Sequence, residues 1–180
     1  MELGSYFSFE NIFTHQECDR IINIKHKFLN GGVVDDSHKK HRQTEFSLIE
    51  PNDETDWIYR RIADLVNYVN NTKFNFYLDG RLQIIQIAKY TKESFYNWHV
   101  DVGPSPETCC RKLSIVVHLS SPTYEGGRLQ FGNIDNEPLE PSYSKGSVTI
   151  FPSIMRHRVT PVTKGTRYTL VVWATGPSFK

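Results

Sequence analysis

Apolar residues recur at helical spacing in the first third of this chain and in short alternating runs through the rest. Residues 6–9 read as a brief strand. Thr14 and Glu17 then have the form of a capping box, with Thr14 as the N-cap and Glu17 reaching back to it. Ile21, Ile22, Lys25 and Phe28 follow at helical spacing, and Gly31 and Gly32 stop the run. A second helix is expected from near Asp53, because Trp57, Ile58, Arg61, Ile62, Leu65, Val66 and Val69 lay an apolar stripe along it.

From residue 74 the pattern changes. Strands are expected over 74–78, 81–90, 112–120, 128–131, 147–151, 158–162 and 166–175, with punctuation at Gly80, Gly126, Gly127, Gly146 and Gly165. Short strands at regular spacing point to a mainly β fold, a sandwich, jelly roll or barrel, with helices covering one outer face. No linker, repeat or low-complexity stretch interrupts the chain. The expectation is one domain over 1–180, with helical support over 1–73 and a β core over 74–176.

Composition narrows the class. Hydrophobic residues make up 38% and charged residues 23%, as in a soluble globular protein. The net charge of +1 gives no bulk electrostatic reason to expect a polyanion partner, so nucleic acid is disfavoured. The basic strip from Lys39 to Arg42 reads as a solvated loop. The first residues lack a basic segment followed by an apolar one, and no run of about 18 apolar residues occurs. Three cysteines, with Cys109 and Cys110 adjacent and Cys18 remote, make no disulfide framework. A reduced, cytoplasmic protein without a membrane span is therefore expected.

Candidate chemistry centres on His99, Asp101 and His157. Residues two apart on an extended chain point to one side, so His99 and Asp101 can reach one ion. Two imidazoles and one carboxylate form the set that holds non-haem Fe(II) while leaving coordination positions open. His157 follows a Phe-Pro-Ser turn at 151–153 and could supply the third donor from a distant strand. His15, His26, His38, His41 and His118 lack such context. Arg167 lies on the last long strand, where a guanidinium fork matches a carboxylate. Spacing alone equally allows it to be an exposed arginine after the turn at Lys164 and Gly165.

Taken together, these segments resemble a known family. Residues 90–101 (YTKESFYNWHVD) are similar to the first metal motif of prolyl 4-hydroxylase-like 2-oxoglutarate oxygenases. Residues 111–120 (RKLSIVVHLS) and 124–131 (YEGGRLQF) resemble the next core strands. Residues 151–167 (FPSIMRHRVTPVTKGTR) resemble the closing motif, particularly in the PKHD-type branch. The likeness covers roughly residues 80–176.

The resemblance implies a double-stranded β-helix, or jelly roll. It implies Fe(II), 2-oxoglutarate and dioxygen, with ascorbate as an accessory. His99, Asp101 and His157 would ligate the metal, and Arg167 would bind the distal carboxylate of 2-oxoglutarate. Tyr90 would contact the same cosubstrate, and Ser114 would line its pocket. Tyr96 and Trp173 match substrate-facing positions. The implied activity is decarboxylation of 2-oxoglutarate to succinate coupled to hydroxylation of a protein or peptide substrate, with proline the first candidate. Loops 102–110 and 133–144 would then wall a substrate groove. The same chemistry on a nucleic acid or a small molecule is the enzymatic alternative. A non-catalytic metal-binding jelly-roll module is the third.

Overall fold

The computed structural model describes residues 5–31, 33–34, 40–121, 123–132 and 137–178. In chain order the elements are β1 (Phe7–Phe9), α1 (His15–Ile22), β2 (Leu29–Asn30), β3 (Val33–Val34), β4 (Lys40–Gln43), β5 (Glu45–Ile49) and α2 (Asp56–Val69). Then come β6 (Ile85–Tyr90), β7 (Phe95–His99), β8 (Arg111–His118), β9 (Glu125–Gly126), β10 (Leu129–Phe131), β11 (Val148–Pro152), β12 (His157–Val159), β13 (Val162–Lys164) and β14 (Arg167–Thr175). A seven-stranded sheet has the order β1-β11-β8-β14-β6-β5-β2, and a five-stranded sheet the order β10-β12-β7-β4-β3. Strands from both line one cavity, the arrangement of a jelly roll.

The large sheet buries both faces, for different reasons. Its outer positions, among them Ile85, Ile87, Leu113, Ile115, Val117, Ile150, Leu170 and Val172, pack under Cys18 and Ile21 of α1 and Ile58, Ile62, Val66 and Val69 of α2. Its inner positions alternate with these. Ser114 pairs with Trp173, Val116 with Val171 and His118 with Thr169 across β8 and β14. Arg167 pairs with Tyr90 and Thr169 with Ala88 across β14 and β6. One face is thus an apolar core and the other a mixed polar wall, fixed by the period of two.

The capping box forms as expected. Glu17 N donates to Thr14 Oγ1 at 3.2 Å, and Thr14 N donates to Glu17 Oε2 at 2.8 Å. Three expectations fail. First, α1 ends at Ile22 rather than running on through Phe28, because Asn23 N closes on the carbonyls of Asp19 and Ile21. Second, 29–49 is not helical support: it holds strands β2 to β5. The charged β4 and the very short β2 and β3 look like loop, which is how exposed sheet edges are protected. Third, 74–78 is not a strand. A π turn over Asn70–Phe74 ends with Asn75 at φ 53°. The Asn70 side chain then clamps Phe76 through Nδ2 to O and N to Oδ1, both at 2.9 Å. These bonds replace the ladder that a strand would need.

Among the described residues no helix is long and apolar enough to cross a membrane. The outer core carries the stability of the large sheet, and Ile115 lies fully buried at its centre. Ile115→Ala should cost about 2–5 kcal/mol of unfolding free energy. Urea denaturation checks this through a lowered midpoint at unchanged slope. A loss below about 1 kcal/mol would place the core elsewhere.

Candidate active site

Strand register brings the first two candidate ligands together. His157 on β12 is the direct antiparallel partner of His99 on β7, so both imidazoles leave the same face of the smaller sheet. Asp101 lies just past the end of β7. Its position is set by backbone bonds rather than by a ladder: Asp101 N donates to Ser153 O at 2.9 Å and Val102 N to the same oxygen at 3.3 Å. The Phe-Pro-Ser turn that precedes His157 therefore also holds Asp101.

One donor atom from each of His99, Asp101 and His157 lies within 4.8 Å of the others. His99 Nε2 is 3.7 Å from Asp101 Oδ1, and His157 Nε2 is 3.6 Å from Asp101 Oδ2. Those separations are too long for hydrogen bonds and suit donors facing a common ion. The other ring nitrogens are already committed. His99 Nδ1 bonds Asn97 O at 2.7 Å, and His157 Nδ1 bonds Met155 O at 2.9 Å. Donation from each Nδ1 to a carbonyl leaves Nε2 with its lone pair toward the centre.

Electrostatics favours the ligating protonation states. Burial pushes the His99 imidazole down, and the adjacent His157 adds to that. Burial works to raise the Asp101 carboxyl, but His157, His99 and the Ser114 hydroxyl outweigh it and hold it below the ordinary value. The Trp173 indole contributes in the same direction, although its Nε1 makes no well-formed hydrogen bond. A neutral His99 imidazole and an ionised Asp101 carboxyl result, both lining the cavity beside His157. This donor set fits a divalent iron ion.

Ser114 does not line the cavity. It is fully buried behind the carboxylate, donating to Asp101 Oδ2 at 2.6 Å and sharing a 2.9 Å bond with Ser153 Oγ. Strand parity points it inward as expected, but Asp101 stands between it and the open volume. The cavity holds about 170 Å³ and is lined by His99, Asp101 and His157 together with Tyr90, Tyr96, Arg167 and Trp173. Arg167 is only 2% exposed, with its guanidinium 5.1 Å from the Tyr90 ring centroid and its Nε buried without a partner. The exposed alternative for this arginine is excluded. Tyr96 stacks on the His99 ring, with centroids 3.4 Å apart. His118, two residues from Arg167 across the β8–β14 pairing, is buried with neither ring nitrogen bonded. Burial, with Arg167 and Arg128 nearby, pushes it down to about 3, so it is a neutral imidazole.

Sequence reasoning missed three site residues. Ser153 carries no signal beyond its turn. Arg111 lies over the Trp173 ring at 3.5 Å and donates from Nε to Gln83 Oε1 and from NH1 to the Asp101 carbonyl, at 2.9 and 3.2 Å. Arg42 belongs to the strip read as a solvated loop, yet it is on β4 and lines the cavity. Lys39 and residues 133–136 lie outside the described residues. Pro106 and Cys110 of the 102–110 loop line a separate open groove with Tyr77, Arg81 and Pro177, not the cavity. Cys18, Cys109 and Cys110 are free thiols.

Residues 85–175, just over half of the chain, match the family model described as the 2OG-Fe(II) oxygenase superfamily. A PKHD-type hydroxylase of Synechococcus sp. (strain CC9605) is 33% identical over 100 residues, covering 55% of this chain and 45% of that protein. Another, from Synechococcus sp. (strain CC9311), is 27% identical over 169 residues, covering 90% and 74%. The chain thus spans under half the length of the first of these relatives. Among solved structures, a Pseudomonas putida prolyl-4-hydroxylase superposes with a TM-score of 0.75 at 18% identity, covering 98% of this chain and 96% of that one. A prolyl hydroxylase from Trichoplax adhaerens, solved with a hypoxia inducible factor peptide fragment, gives 0.73 at 15% identity, covering 96% and 84%. At those identities the structural likeness shows the fold.

The Ser114 hydroxyl holds the carboxylate of Asp101, a candidate metal ligand. Ser114→Ala should weaken Co(II) binding about 10–100-fold, read by calorimetric titration. Affinity equal to wild type would show that Asp101 is positioned by its backbone alone.

Proposed function

Because the chain belongs to the 2OG-Fe(II) oxygenase superfamily, we propose that it hydroxylates proline in a protein or peptide, with His99, Asp101 and His157 as the metal ligands. Membership brings Fe(II), 2-oxoglutarate and dioxygen as the chemistry of the site. The observation that carries the reading is the convergence of those three donors in one cavity with the buried Arg167, whose Nε has no hydrogen-bond partner.

When bound, the metal and 2-oxoglutarate supply dioxygen activation, with succinate and carbon dioxide as products and one oxygen atom inserted into a substrate C–H bond. The chain's own residues supply order. His99 and His157 present Nε2 in a fixed tautomer, and Ser114 and Ser153 steady Asp101. Arg167 offers its fork to the distal carboxylate, beside Tyr90. The Arg167 Nε is buried without a partner, and a dianionic cosubstrate would give the guanidinium its counter-charge. Val116, Leu129, Val159 and Val171 wall the cavity with apolar surface that excludes water.

Support for proline is of two kinds. The PKHD-type hydroxylases are similar in sequence, and the solved prolyl hydroxylases are similar in fold. Tyr96 and Trp173 also line the cavity and give it aromatic surface against which a pyrrolidine ring can pack. Ascorbate belongs to the proposal as an accessory, on family resemblance alone.

Incubation with Fe(II), 2-oxoglutarate and proline-containing peptides should yield peptide heavier by one oxygen, in step with succinate. Succinate formation that no peptide stimulates would remove the peptidyl reading. Arg167→Ala should raise the 2-oxoglutarate KM about 10–100-fold, the worth of a lost charge-assisted hydrogen-bond pair. An unchanged KM would move the cosubstrate site elsewhere.

A further inference from the structure

The cavity has an excess of cations. Arg42, Arg111 and Arg167 line it, against the single carboxylate of Asp101. On the reading above, a divalent ion with Asp101 leaves one positive charge, and Arg167 adds another. The dianion of 2-oxoglutarate balances both. Arg111 is built into the frame by Gln83, the Asp101 carbonyl and the Trp173 face.

Arg42 is different. Its Nε is buried without a hydrogen-bond partner, and among the described residues no carboxylate pairs with it. Its guanidinium lies 4.9 Å from the Tyr96 ring centroid, and Tyr96 stacks directly on His99. Arg42 as a whole is half-buried, with the Phe46 ring 5.8 Å from its guanidinium, so its charge is held by aromatic faces beside the site rather than by an acid, and an arriving carboxylate would complete the pairing. The metal and cosubstrate need no further cation. His41, its neighbour on β4, puts its ring 5.7 Å from Tyr96 and adds a second polar group beside it.

We propose that Arg42 is a specificity-determining residue that receives a carboxylate of the substrate, so the preferred target is a proline beside an acidic group. The inference rests on the prolyl reading. The carboxylate has two possible sources, an acidic side chain flanking the proline or the free carboxylate of a terminal residue.

The test uses the full chain loaded with Mn(II) and 2-oxoglutarate for binding, and with Fe(II) for turnover. Peptides carry Glu, Gln or Lys beside one proline, each with a free or an amidated C-terminus. Calorimetry should show the acidic peptides binding about 10-fold or more tightly than the neutral ones. That ratio should fall toward one in Arg42→Gln and invert in favour of Lys in Arg42→Glu. Discrimination confined to the free-acid series assigns the carboxylate to a chain end, and discrimination by Glu against Gln assigns it to a side chain. Binding indifferent to charge, absence of binding by acidic peptides, or a preference surviving in Arg42→Gln overturns the inference. Failure of any bound peptide to gain oxygen with Fe(II) overturns the prolyl reading separately.

Discussion

The antiparallel pairing of His157 with His99 is the constraint on which the site depends. It places two imidazoles side by side on one face of a sheet, with no loop needed to find them. The Ser153 carbonyl then ties Asp101 to the turn that leads into His157. His99 and His157 are 58 residues apart in sequence, yet one strand pair and one backbone oxygen define where they meet Asp101. Side chains held by ladder and turn need little reorganisation when a metal arrives, which is the condition for a tight and selective site.

The rest of the fold keeps that pair in place. Two helices cover the outer face of the large sheet, so the inner face is free to carry polar groups without loss of the core. Arg167 and Tyr90 sit on paired positions of that inner face, across the cavity from the imidazoles. Burial does the electrostatic work. It keeps His99 and His118 neutral, and the Arg167 and Arg42 Nε groups are buried without hydrogen-bond partners.

How much was legible in the sequence depended on whether a residue's role was local. The capping box at Thr14 and Glu17, the stripe of α2 and the long strands expected over 112–120 and 166–175 follow from short-range pattern, and the strands form over Arg111–His118 and Arg167–Thr175. His99, Asp101, His157 and Arg167 stand in a spacing that the family motif makes specific, and the structure gathers them in one cavity. Edge strands were not legible, because β2, β3 and β4 are short or polar and gain their order from a neighbour. Nor was the π turn at Asn70, where one side-chain clamp overrides a β-rich run. Ser114 shows the limit of strand parity: the inward direction was right, but the residue in front of it was not visible. Arg42 looked like surface because the strand that carries it was itself unseen.

The central claim is that three side chains converge on one divalent iron with 2-oxoglutarate beside it. Anaerobic titration of the protein with Fe(II) and 2-oxoglutarate, followed by visible absorption, tests it most directly. The account predicts a weak metal-to-ligand charge-transfer band that saturates at one equivalent of iron and is missing in Asp101→Ala. A wild-type protein that develops no such band, or an Asp101→Ala protein that develops it unchanged, would contradict the account.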